Sequence, residues 1–175
     1  MEKSTEQLDG RTDQKKNLKH LPIVIERVFQ APVEKLWKAW STVGLLKQWW
    51  GPNGYSSPEA KMDFRVGGDY LFSMQGPDGK VTWSGGTYRS IIPNKKIVCT
   101  DHFADNDGTI ISANSIGLPG DWPQELRVTV DFESLKPHQT KMTVTYEGVP
   151  EEAHDDCVEG WKQTIDKLQK LVESN

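Results

Sequence analysis

Residues 150–173 of this 175-residue chain read PEEAHDDCVEGWKQTIDKLQKLVE and predict one long amphipathic helix. Apolar side chains recur in it three and four positions apart and so share one face of a helix; they are Val158, Trp161, Ile165, Leu168 and Val172. Acidic residues cluster near the start of the segment and lysines toward its end, which is the order that the helix dipole favours. A helix with one apolar face needs another layer of structure to cover that face.

Alternation of apolar and polar residues predicts strands that can form this layer. The segments with the pattern are, in chain order, residues 57–62, 69–75, 81–92, 96–103, 126–132 and 142–146. The first is the weakest and the last two alternate most cleanly. Residues 76–79, Gly-Pro-Asp-Gly, predict a hairpin turn, whereas residues 105–120 are polar and predict mostly loop, with at most a short strand.

One more strand and two short helices are predicted ahead of these segments. Residues 23–29 are apolar and β-branched enough for a strand. Four apolar residues then follow with helical spacing, namely Val33, Leu36, Trp37 and Trp40. A second short helix ends before Gly51 and Pro52. The order predicts an α+β fold, a curved antiparallel sheet wrapped around a long C-terminal helix, with two short helices after the first strand.

The composition limits the domain count and the classes of partner. Residues 1–20 are polar without periodicity and predict a flexible tail, whereas residues 21–175 predict a single domain. The net charge of -4 disfavours nucleic-acid partners, which need a basic surface. No stretch approaches the ~18 consecutive apolar residues of a membrane span, and the polar N-terminus lacks a secretory signal. We therefore expect no membrane insertion and a cytoplasmic location.

A series of short motifs follows the predicted elements over about residues 21–173. The residues that carry it are Arg27, Phe29, Ala31, Pro32, Trp37, Ala39, Trp40, Trp49, Trp50, Gly51, Pro52, Gly67, Gly68, Met74, Gly76, Asp78, Gly79, Gly86, Thr87, Tyr88, Ile91, Pro93, Gly160, Trp161 and Leu168. Their order and spacing resemble the helix-grip superfamily, also called START-like or SRPBCC, and within it the branch similar to the activator of the heat-shock protein 90 ATPase. Ser90 stands where the family pattern usually has an acidic residue.

This resemblance implies a fold more than an activity, because functional sites vary on a shared fold. Members of the superfamily bind apolar ligands, and relatives include cyclases and a chaperone activator. The resemblance therefore implies a hydrophobic small molecule as the ligand, with a chaperone as the alternative partner.

Seven tryptophans indicate either a thick core or a wide apolar pocket. In the pocket hypothesis, side chains cannot fill the gap between the sheet and the long helix, which leaves roughly a few hundred cubic ångströms. The candidate ligand-binding residues are Trp40, Trp49, Phe72, Met74, Trp83, His102, Trp122, Trp161 and Ile165. His102 is the best single candidate for acid–base chemistry if its strand face points inward, and a structural histidine is the alternative.

Glycines in regular elements need a separate explanation. Gly160 lies inside the long helix, where it costs ~1 kcal/mol relative to alanine. Close packing of the helix on the sheet is the preferred interpretation, and room for a ligand or an entry loop is the alternative. Gly85 and Gly86 predict a bulge or tight bend, because no phosphate-binding motif follows them.

No metal site, cofactor or catalytic constellation is predicted. Cys99 and His102 are three residues apart in a strand, which points them to opposite faces, and His154 and Cys157 share a helix face without two further ligands. The chain has no Gly-x-Ser-x-Gly motif, and its two cysteines do not predict a disulfide framework.

Three functions remain, in order of preference. The first is binding of a small hydrophobic ligand in an internal cavity between the sheet and the C-terminal helix. The second is a cyclase-like or hydrolase-like enzyme acting on an apolar or aromatic substrate. The third is a co-chaperone-like activator of heat-shock protein 90. The sequence leaves the ligand and the oligomeric state open.

Overall fold

The computed structural model describes residues 21–174, so the tail predicted over residues 1–20 lies outside the described residues. The strands in the described range are β1 (Ile23–Phe29), β2 (Ala60–Met62), β3 (Asp69–Gln75), β4 (Val81–Ile92), β5 (Lys96–Ala104), β6 (Leu126–Lys136) and β7 (Gln139–Glu147). The helices are α1 (Val33–Ser41), α2 (Val43–Trp49) and α3 (Glu151–Glu173), with a single 3-10 turn at Ala113–Ile116.

The strands form one antiparallel sheet in the order β1-β7-β6-β5-β4-β3-β2. Strand β1 pairs with β7, which brings the first strand of the described range beside its last. Register shifts between Tyr88 and Ser90 and between Ser134 and Lys136 are irregularities of the β-bulge type, which bend a sheet and increase its twist. The predicted α+β class, a curved antiparallel sheet with a long C-terminal helix, is confirmed.

The second half of α3 packs into the hydrophobic core. Ile165 and Leu168 are completely buried, and Val172 is 2% exposed. They belong to the same core cluster as the inward-facing residues of β6 and β7, which are Val128, Val130, Phe132, Met142 and Val144. Full burial stabilises the fold by roughly 1.5–3 kcal/mol for each side chain of this size. This half of α3 therefore fixes the helix to the sheet.

The short helices α1 and α2 close one end of this core. Leu36 of α1 and Leu46 of α2 are almost completely buried. Helix α2 ends at Trp49, and the chain then turns at Gly51, whose φ of +96° lies in the left-handed region that favours glycine. Trp50 lies between the helix end and this turn, in extended conformation.

A glycine in the middle of β4 allows an unusually close contact. Gly86 pairs with Tyr70 of β3, and a Cβ at Gly86 would lie 1.9 Å from the carbonyl oxygen of Thr100 and 2.7 Å from the Tyr70 ring. The Tyr70 hydroxyl instead crosses over the bare backbone and donates to that carbonyl oxygen at 2.6 Å. Close approach, rather than the predicted bulge or bend, explains this glycine.

We expect Gly86→Ala to lower the free energy of unfolding by about 3 kcal/mol or more, because the new methyl group would overlap backbone that cannot move without breaking the ladder. Gly85→Ala is the matched control, since its Cβ would lie 3.1 Å from the nearest backbone atom, the carbonyl oxygen of Tyr70. Urea denaturation measures the free energy of unfolding of both variants. An equal decrease of this free energy in the two variants would contradict the close-contact explanation.

Candidate functional site

A cavity of about 510 Å³ lies between the concave face of the sheet and the first half of α3. Its wall includes side chains from β3 to β7, from the end of α1, from α2 and the loop after it, and from the 3-10 turn and the segment that follows. The α3 residues in the wall are Ala153, Asp156, Cys157, Gly160, Trp161 and Thr164. Two wall residues of the β3–β4 turn, Asp78 and Lys80, are exposed, so the cavity opens to solvent on that side.

Five of the nine candidate residues lie in the cavity wall. They are Trp40, Phe72, Met74, Trp122 and Trp161. Trp122 also packs edge-on against Phe103 at 5.1 Å and donates its indole N–H to the carbonyl oxygen of Pro119 at 2.8 Å. The ligand-binding role of these residues stays a prediction.

Two other candidates lie in the solid core, and their predicted place in the wall is corrected. Trp49 is completely buried, with its indole N–H donating to the carbonyl oxygen of Ala39 at 3.1 Å. Ile165 is also completely buried. The cavity follows α3 only as far as Thr164, and beyond that residue the helix packs directly into the core.

The remaining two candidates, Trp83 and His102, lie on strands that border the cavity but are not part of its wall. Successive side chains of a strand point to opposite faces. The wall takes Thr82 and Ser84 from β4, and Asp101 and Phe103 from β5. The residues between them, Trp83 and His102, therefore face the outer side of the sheet. His102 cannot supply acid–base chemistry in the cavity, which corrects that hypothesis as well.

Trp50 is an important wall residue that the sequence reasoning did not select. Its ring makes edge contacts with those of Trp49, Phe72 and Trp161, with centroid distances of 5.6, 5.2 and 5.9 Å. Because Trp50 follows the last residue of α2, helical spacing assigned it to no face. The signals for Trp50 were its position beside Trp49 and its place in the motif series that carries the family resemblance.

Asp101 is a half-buried carboxyl group in the cavity wall, hydrogen-bonded to two tyrosines from other strands. Tyr146 of β7 donates to its Oδ2 at 2.6 Å, and the Tyr70 hydroxyl lies 3.0 Å from its Oδ1. Burial raises the pKa of Asp101 to about 6, although the two hydroxyl groups offset part of this shift. Burial, together with the nearby Asp101, raises the pKa of both tyrosines well above the usual value.

A count of protons in this cluster agrees with the raised pKa of Asp101. Three pairs of oxygens are within hydrogen-bond distance: Tyr146 with Asp101, Tyr70 with Asp101, and Tyr70 with the Thr100 carbonyl. Each pair needs one proton, and two tyrosine hydroxyls supply only two. The third is present only when Asp101 is itself protonated. The neutral acid therefore satisfies the cluster, and the carboxylate leaves it one proton short.

Gly160 borders the cavity on α3, and its missing side chain leaves space. A Cβ added there would meet no atom within 4 Å other than its own helix backbone and chain neighbours. Close packing against the sheet, the preferred interpretation of this glycine, is therefore wrong. The cost of glycine in the helix is offset by no contact in the fold.

The Lys167 side chain of α3 forms hydrogen bonds with the loop after α2. Its Nζ donates to the carbonyl oxygens of Gly51 at 2.9 Å and Tyr55 at 3.1 Å. Partial burial lowers the pKa of Lys167. Both carbonyl residues belong to the cavity wall, so this contact holds one side of the cavity in place.

Other features of the described residues do not add a second site. A hollow of about 630 Å³ is wide and open, and its wall includes the exposed charged residues Arg89, Arg127 and Glu147. Among residues 21–174, no group of three or more His, Cys, Asp or Glu side chains is placed to hold a metal ion. None of the helices in this range is long and apolar enough to cross a membrane.

Comparison with known proteins identifies similar chains. The family model described as Activator of Hsp90 ATPase homolog 1-like protein matches residues 30–173. No curated protein matches the sequence. A solved structure of a Chromobacterium violaceum protein is 28% identical, covers 88% of this chain and 98% of its own, and has a TM-score of 0.73.

Two further solved structures have similar coverage. A protein from Arthrobacter aurescens is 26% identical, with 87% of this chain and 86% of that chain covered and a TM-score of 0.73. The AHSA1 protein from Silicibacter pomeroyi is 22% identical, with coverages of 86% and 96% and a TM-score of 0.70. At that identity the last comparison shows the fold alone.

We expect Asp101→Asn to raise the free energy of unfolding at pH 7. The pKa of Asp101 is raised from 3.8 to about 6, so its ionisation destabilises the folded state above pH 6 by up to about 3 kcal/mol. An amide keeps the hydrogen-bond pattern of the neutral acid. The difference between variant and wild type should shrink as the pH falls from 7 to about 4, where the acid is neutral in the folded state and only about half ionised in the unfolded state.

Urea denaturation at several pH values between 4 and 7 measures this difference. Asp107→Asn is the matched control, because Asp107 lies in an exposed turn, and its effect should not follow this pH profile. A wild type that is more stable than Asp101→Asn at pH 7 would contradict the assignment of a raised pKa.

Proposed function

The chain belongs to the Activator of Hsp90 ATPase homolog 1-like family, and from this membership we propose that it binds a small apolar molecule between its sheet and α3. The observation that carries the proposal is the open cavity of about 510 Å³ with a mostly apolar wall rich in aromatic residues. Cavities that hold small molecules have volumes of about 300–1,000 Å³ and mostly apolar walls with a few polar groups.

The aromatic wall suits a flat or ring-containing ligand. The rings of Trp50 and Trp161 meet at 89°, and those of Trp50 and Phe72 meet at 67°. Rings at steep angles present both faces and edges to the space between them, and aromatic ligands prefer offset or edge-to-face contacts with such rings. Each square ångström of apolar ligand surface removed from water contributes roughly 25 cal/mol.

The space beside Gly160 supports the same proposal. Helix α3 retains a residue that costs it ~1 kcal/mol, and no protein group occupies the position of the absent side chain. A ligand in the cavity would use that space. Met74 in the opposite wall has the flexible side chain of an adaptable surface.

We expect ethylnaphthalene to bind the wild-type protein and change its tryptophan fluorescence, because four tryptophans line the cavity: Trp40, Trp50, Trp122 and Trp161. Gly160→Leu should weaken this binding by about tenfold or more, since the new side chain enters the cavity. Fluorescence titration and calorimetry measure the affinity.

Gly44→Leu is the matched control for this substitution. Gly44 lies on an exposed position of α2, and an added Cβ would likewise meet nothing within 4 Å. Both changes should leave the free energy of unfolding as in the wild type or raise it by ~1 kcal/mol, because glycine is a weaker helix former than leucine. Equal affinity in the two variants, or no response of the wild type to a panel of aromatic compounds and lipids, would refute internal ligand binding.

A second candidate function is activation of a chaperone ATPase, which the description of the matching family favours. We expect heat-shock protein 90 to be retained on the immobilised protein if this function is present, and Gly160→Leu to retain it equally because that change is internal. Absence of retention at micromolar concentration would remove this candidate.

A further inference from the structure

We propose that the ligand of this cavity is an organic ammonium compound, whose positive nitrogen lies against Asp101 while its apolar part contacts the aromatic wall. The inference rests on the proposed function and specifies the class of ligand. Three features of the described residues carry it: the sign of the interior charge, the arrangement of the rings, and the proton count around Asp101.

The charge in the interior of the cavity is negative. Asp101 is the one carboxyl group of the described wall that is not fully exposed, whereas Lys80, the basic residue of that wall, lies exposed on the β3–β4 turn. The other two acidic wall residues, Asp78 and Asp156, are also exposed. A cation is therefore favoured next to Asp101, and an anionic ligand group is repelled, with more force than in water because the surroundings are apolar.

Aromatic rings lie next to this carboxyl group. Tyr146, which donates to Asp101, contacts the ring of Trp161 at 5.8 Å, and Trp161 contacts Trp50 at 5.9 Å. The faces of aromatic rings carry negative potential and attract ammonium groups, which is how aromatic cages recognise them. A carboxyl group bordered by such rings is thus suited to a cation with an apolar body.

Asp101 has acceptor capacity left for such a ligand. A carboxylate offers about four lone-pair positions; Tyr146 donates to one on Oδ2, and the Tyr70 hydroxyl, whose proton goes to the Thr100 carbonyl, leaves those on Oδ1 open. The ionised form also leaves the cluster one proton short of its three hydrogen bonds. A ligand ammonium supplies both a further donor and the compensating charge.

The groups that face Asp101 do not change charge near neutral pH. They come from β3, β5, β7 and α3 and are Tyr70, Cys99, Tyr146 and Cys157. Burial raises the pKa of Cys99 to about 12 and that of Cys157 to about 11, and both tyrosines are raised well above 10. From β4, the position opposite is Gly86, which has no side chain. Asp101 is therefore the group of this cluster that titrates between pH 5 and 7.

The test compares three probes of similar shape: naphthylmethylamine as the cation, ethylnaphthalene as the neutral compound and naphthoate as the anion. We expect the wild-type protein to bind the amine about tenfold or more tightly than ethylnaphthalene at pH 7, and naphthoate most weakly. In Asp101→Asn the preference for the amine over ethylnaphthalene should disappear.

A pH series on the wild type provides a second measurement that does not depend on the variant. With the pKa of Asp101 at about 6, the ionised fraction falls about tenfold from pH 7 to pH 5. The affinity for the amine should fall by the same factor, whereas that for ethylnaphthalene should stay constant.

The outcomes separate this inference from the proposed function. Binding of ethylnaphthalene with no preference for the amine, or a preference that survives in Asp101→Asn and is constant with pH, overturns the ammonium assignment alone. Tighter binding of naphthoate than of the other two probes also overturns the ammonium assignment alone. Failure of all three probes to bind overturns both the assignment and the apolar-ligand proposal.

Discussion

The structure depends on α3 being packed against the sheet over one half and separated from it over the other. Ile165, Leu168 and Val172 fill the gap completely at the C-terminal half, and their burial holds the helix in place. Over the N-terminal half, the same helix presents Gly160 and Trp161 to open space. A curved sheet and a straight helix diverge along their length, so the tight packing at one end makes the cavity at the other.

The cluster of Tyr70, Asp101 and Tyr146 ties three strands together across the floor of this cavity. A buried polar group must be hydrogen-bonded, and here each member satisfies another because Gly86 lets the Tyr70 ring cross the strand. The cluster therefore requires a specific backbone contact that no other residue type permits. Stability and the chemistry of the cavity are linked through the same carboxyl group, since its ionisation weakens the fold and strengthens attraction for a cation.

Periodicity predicted the elements well because each long element buries one continuous face. The clean alternation in β6 and β7 and the spacing in α3 follow from that burial. Helical spacing placed Trp40 and Trp161 in the cavity wall, but it also selected Trp49 and Ile165, which lie in the solid core. On strands the face depends on register, and sequence alone does not fix it for Trp83 and His102. Asp101 was missed because a charged residue in a strand is normally assigned to the solvent side.

The backbone and the side chains contribute different properties to the cavity. Solved structures with 22–28% identity share the fold, and thereby the arrangement of the sheet and the last helix. What the cavity accepts depends on a few residues that backbone similarity does not determine, chiefly Asp101, Gly160 and Trp50. One carboxyl group in an apolar wall changes the sign of the charge that a ligand can bring inside. Under the proposed function, ligand specificity is therefore a property of individual side chains, and the fold supplies the space in which they act.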